Sequence, residues 1–214
     1  VIITTGSGQE ITIDRPHGRE INPDVWAMPD GELRRVQRLA LGWRMDVVYY
    51  DDSGIRAIGQ YRPEHIDGSP FPTGWNSCTP RAECYTGPSG HMRVTRYVAE
   101  PHPSPLPQCG CGLRLMEHIG QVSELVRERG DQFLSEWSLP SEPVQHALCI
   151  SSVVGLGLTC NGEELDPEGT IRTQWLALDD HLLFGQQDAH VAEMFRQTSM
   201  DVHVVPDLGA LRDV

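Results

Sequence analysis

Six cysteines and histidines between positions 78 and 111 have the chemistry of metal ligands. They are Cys78, Cys84, His91, His102, Cys109 and Cys111. Zinc takes four thiolate, imidazole or carboxylate donors in a tetrahedron, and a Cys-Gly-Cys turn can present two thiolates to one ion because glycine lets the backbone curl behind it. Cys109 and Cys111 therefore form the downstream half of an expected zinc site. Cys78 and Cys84 are the first choice for the upstream half, with His102 or His91 as a substitute for one of them. Such a zinc would be structural: it would close long loops in a Pro- and Gly-rich stretch with little apolar sequence, and its binding would contribute directly to folding. Free thiols or an oxidised pair are the alternative, although six cysteines in a reducing compartment favour metal over disulfides.

The remaining reactive groups are less specific. Cys149 and Cys160, with His146 nearby in sequence, could form a nucleophile and base, but their apolar setting reads as buried, inert thiols. Asp179, Asp180 and His181 form a dense polar cluster that reads as a solvated turn after a strand, with metal binding as the alternative. A catalytic zinc would need an open position and a carboxylate base such as Glu83, Glu100 or Glu117. The glycines of 155-GLGLTCNG-162 do not follow the order of a dinucleotide loop, and no G-x-S-x-G, H-E-x-x-H or Walker pattern occurs.

The run His102-Pro-Ser-Pro105-Leu-Pro-Gln-Cys109-Gly-Cys111-Gly112-Leu113 resembles an H-x-x-P-x-x-x-C-x-C-G-[IL] signature of small bacterial proteins. In that family a V-[IV]-G-x-[VL]-x-L strand follows, similar to 153-VVGLGLT-159, then segments similar to 171-IRTQWLALDDHLL-183 and 191-VAEMFRQTSMDVHVV-205. The likeness spans about residues 42–205. It implies no established activity.

These residues must be positioned by a chain of 214 residues, long enough to bury a sizeable core. All 17 basic residues are arginine, and the formal net charge is -13. The part after Pro107 carries 17 acidic against 6 basic residues, a field that disfavours non-specific contact with phosphate backbones. An arginine face drawing on Arg15, Arg19, Arg34, Arg35, Arg38, Arg93 and Arg96 reads as solvated surface. The acidic half is too dispersed to imitate nucleic acid. No apolar run approaches the ~20 residues of a membrane span, and no secretory signal opens the chain, so a cytoplasmic location is expected.

Strands are expected at 1-VIITT-5 and 10-EITID-14 around the turn 6-GSGQ-9. A helix is expected over 29–42, with Asp30 as N-cap and Gly42 as its stop. A hairpin over 43–52 and 55–61 would turn at Asp52-Ser53-Gly54. An amphipathic helix over 113–130 would use Leu115, Ile119, Val122 and Val126, capped by Gly130. The apolar run 147–160 predicts one bent strand or two, with Gly155 and Gly157 at a bulge or close approach. A strand over 170–178 follows. Asp188 would then cap a short helix turning Val191, Met194 and Phe195 inward, before a strand over 201–207.

The expected fold is α+β: a mainly antiparallel sheet that could curl into a barrel, two or three short helices, and a zinc-stapled loop region. The segments 1–61, 62–112 and 113–214 would pack as one unit. The sequence favours a zinc-stabilised, non-enzymatic binding or regulatory protein with a protein partner. One alternative is a PUA-like reader of nucleic-acid bases, with Trp43, Trp75, Trp137 and Trp175 available for stacking. A zinc-dependent hydrolase is the other.

Overall fold

The computed structural model describes residues 2–13, 40–58, 105, 112–137, 144–161, 166–198 and 200–214. The chain begins with a hairpin of β1 (Ile2–Thr4) and β2 (Glu10–Thr12). Thr5 closes it: its Oγ1 accepts from the Gln9 N–H at 3.1 Å, and Gly8 takes a positive φ of 82° that suits glycine. A short C-terminal strand, β9 (Arg212–Asp213), pairs with the other edge of β1 and completes a three-stranded sheet.

The main sheet is built from long strands. β3 (Ala40–Asp51) and β4 (Gly54–Ile58) form the expected hairpin, with Gly54 at φ 124°. Ala40–Gly42, expected at the end of a helix, belong to β3 instead; the rest of that expectation lies outside the described residues. Gly42 does not stop a helix. A Cβ there would come within 2.6 Å of the Met116 carbonyl oxygen, so glycine lets the neighbouring strand cross close by.

That neighbour is β5 (Leu113–Met116), which leads into α1 (Ile119–Trp137). The helix expected from 113 thus starts later and runs further. Leu113 and Leu115 alternate into one side of the sheet, as strand residues do. The helix is capped from the far end of the chain: the Asp213 carboxylate accepts from the N–H groups of Ile119 at 3.2 Å and Gly120 at 3.1 Å. Gly130 caps nothing. It lies inside α1, buried against Leu148.

The run at 147–160 is one strand, β6 (Gln145–Asn161), with irregular register between Ser151 and Val153 and between Leu156 and Thr159. It pairs antiparallel with β3 over eleven positions and with β7 (Thr170–Gly185). A 3-10 turn at Gln186–Asp188 and helix α2 (Ala189–Met194) then carry the chain across to β8 (Asp201–Val205), which lies parallel to β7. Asp188 occupies the N-cap position of α2 but makes no side-chain capping bond there, and Met194 is exposed while Val191 and Phe195 are buried.

The sheet is mainly antiparallel and curls where β5 pairs with β7 over four positions and meets β3 at the single pair Trp43–Met116. It is not closed into a barrel: β3 and β5 share only that one pair, and β4 and β8 are left as edges that each pair with one strand among the described residues. Strand alternation divides the core. Trp43, Ile150 and Leu183 face α1, together with Ile3 and Ile13 of the small hairpin and Ile119 and Val122 of the helix. Val48, Cys149, Leu182 and Phe184 face α2, where Phe184 and Phe195 hold their ring centroids 5.7 Å apart. Each such fully buried side chain contributes roughly 1.5–3 kcal/mol of transfer free energy.

Candidate metal centre

β7 does not stop at Leu178 but runs to Gly185. Asp179 to His181, read from sequence as a solvated turn, are therefore strand residues, and His181 is buried at 6% exposure. The strand is held at this point by Ser152 of β6, whose Oγ accepts from the His181 backbone N–H at 3.1 Å.

β8 supplies two further donors. Asp201 and His203 are two positions apart, so they project from the same face of the strand, and Asp201 lies opposite His181 in the parallel register. The three side chains converge: Asp201 Oδ2 is 3.4 Å from His181 Nδ1 and 3.4 Å from His203 Nε2. All three ligand atoms lie within 4.8 Å of one another, and the two imidazoles are stacked with centroids 6.1 Å apart. His181 Nδ1 and His203 Nε2 are both buried and lack a hydrogen-bond partner.

Buried polar nitrogens without hydrogen bonds are uncommon and call for a compensating interaction. The Asp201 carboxylate, the ion-pair partner of both rings, supplies one, and a divalent metal between the three donors would supply another. Two ligands bound to zinc at about 2.0–2.1 Å with a tetrahedral angle between them stand roughly 3.4 Å apart, which matches both imidazole-to-carboxylate separations. Two histidines and one carboxylate are borderline-to-hard donors suited to zinc and to other divalent first-row ions.

The four ligands expected from sequence, Cys78, Cys84, Cys109 and Cys111, and the substitutes His102 and His91 lie outside the described residues, as does most of the loop they were expected to staple. Gly112 at its downstream edge is described. Its φ is 108°, and a Cβ there would meet Pro105 at 2.8 Å and Arg172 at 3.1 Å. Cys149 is fully buried, and desolvation, followed by the charges of Asp46 and Asp188, pushes its thiol well above the usual range. That environment keeps it protonated, as expected of an inert core thiol. Trp43, considered for base stacking, is 1% exposed and packed in the core; it offers no face to a nucleobase. Trp75 lies outside the described residues.

Part of this centre is legible in the sequence, where His181 stands in a polar cluster with metal binding as its alternative reading. An Asp-x-His within a predicted strand places two donors on one face. Their meeting with His181 is not legible, because a parallel crossover, not sequence proximity, brings the two strands together.

Comparison of the chain with protein-family models, curated proteins and solved structures finds no match.

Proposed function

We propose that this protein is a metal-dependent binding protein that holds a divalent transition ion, zinc in the first instance, between His181, Asp201 and His203. The observation carrying this reading is the convergence of two buried, hydrogen-bond-deprived imidazole nitrogens on one carboxylate oxygen, each at 3.4 Å. We further propose a second, structural zinc at Cys109 and Cys111 with two of the upstream donors, supported by ligand type and spacing alone, and a non-enzymatic, regulatory role with a protein partner. The acidic net charge of -13 supports this over a nucleic-acid reader. No helix among the described residues is long and apolar enough to cross a membrane.

Metal analysis of the purified protein tests the site directly. His203→Ala and Asp201→Asn should each retain the fold and contain one fewer bound zinc per chain than the parent. Metal content unchanged in both variants would refute the assignment. A parallel measurement on Cys109→Ser separates the two positions, because it should lose a different ion and, with it, part of the folded structure.

A further inference from the structure

We infer that the ion at His181, Asp201 and His203 keeps an exchangeable coordination position that accepts a small anionic ligand, such as a carboxylate, from solution. This rests on the metal-binding reading above and adds the class of ligand the site would take.

Asp201 and His203 rise from one face of β8, and His181 stands opposite Asp201 on the adjacent β7. All three donors therefore approach the ion from the strand pair, and a tetrahedral ion held that way directs its fourth position away from the strands. Three protein ligands with one open position distinguish sites that exchange ligands from closed structural ones. Among the described residues no fourth histidine, cysteine or carboxylate joins the group.

His181 is buried, but the Asp201 side chain is 57% exposed, so solvent reaches the carboxylate edge of the centre. The ion is not sealed in the core.

A divalent ion with one carboxylate and two neutral imidazoles carries a net charge of about +1, and a bound ion is the dominant local charge in such a site. In a chain of net charge -13, the centre would be a local electropositive point, and an anion would be the favoured fourth ligand.

Cobalt(II) replaces zinc and reports its own coordination through its visible d–d bands. The metal-free protein is titrated with cobalt(II), and the cobalt-loaded protein is then titrated with azide and separately with acetate. Thiolate-bound cobalt at the cysteine segment is recognised by its intense near-ultraviolet charge-transfer band, so the histidine-bound ion can be followed separately. The expected result is a d–d spectrum that changes saturably with azide and with acetate. Asp201→Asn and His203→Ala should weaken cobalt binding by more than the 10–100-fold that loss of an outer-shell partner costs, and abolish the anion response. If cobalt binds in a His203-dependent manner but neither anion alters its spectrum, the coordination is closed and this inference is overturned while the metal reading stands. If the non-thiolate spectrum is the same in His203→Ala as in the parent, or never develops, the metal reading itself fails.

Discussion

At the scale of single residues, the most constrained positions are those where a side-chain atom or a charge decides what fits. Gly155 of β6 pairs with Ala40 of β3 and Leu176 of β7; a Cβ there would collide with the Thr173 side chain and stand 2.9 Å from Leu115 Cδ2 of β5. Both neighbours belong to packed strands and have little room to yield. Gly155→Ala should therefore cost about 1–3 kcal/mol by overpacking, read as a lower denaturation midpoint with an unchanged slope. Its close approach was legible in the sequence as a glycine inside a β-branched run, although its neighbours were not. Asp188 presents the opposite case, a residue that charge makes unfavourable. Burial raises its carboxyl pKa, with the charge of His190 partly opposing the shift. A folded-state pKa above the unfolded value means that the folded chain holds the proton more tightly. The favourable contribution is then present at low pH and lost as pH rises through the folded value. Asp188→Asn should consequently raise stability at neutral pH and have no such effect under acid conditions, as a pH series of thermal melts would show.

At the scale of elements, helix α1 shows how a local pattern is overruled from a distance. Its apolar spacing at Ile119, Val122 and Val126 was plain in the sequence, and these positions do face the sheet core. Its start was not plain, because the cap comes from Asp213, 94 residues away from Ile119. Ser123 adds a second tie to the same C-terminal segment, donating to the Leu208 carbonyl at 2.6 Å and accepting from the Leu211 N–H at 2.8 Å. Asp213→Ala should lower stability by about 1 kcal/mol, the usual worth of an N-cap, with hydrogen exchange accelerating first at the amides of Ile119 and Gly120. Unchanged protection at those two amides would show that the cap is not formed in solution. The Gly130 expectation failed for a related reason: within a helix a glycine can be retained for close packing, here against Leu148, instead of for a turn.

At the scale of the whole molecule, the proposed metal centre would join the last β-strand of the main sheet to its neighbour. An ion bound only by the folded chain stabilises it by mass action. Zinc at a hundred times its dissociation constant should add about 2.7 kcal/mol in the parent protein and nothing comparable in His203→Ala, as parallel denaturant titrations with and without zinc would show. The sequence by itself determined the strand-rich α+β character, both tight hairpin turns and the inward faces of most elements, because alternation, helical spacing and turn chemistry act over a few residues. It also placed Asp201 and His203 on one face of a strand. Only the tertiary structure decided that β7 continues through His181, that β8 lies parallel beside it, and that the sheet curls without closing. Those outcomes depend on which strand edges meet after a crossover, and pairing between distant segments leaves no mark in the spacing of either one.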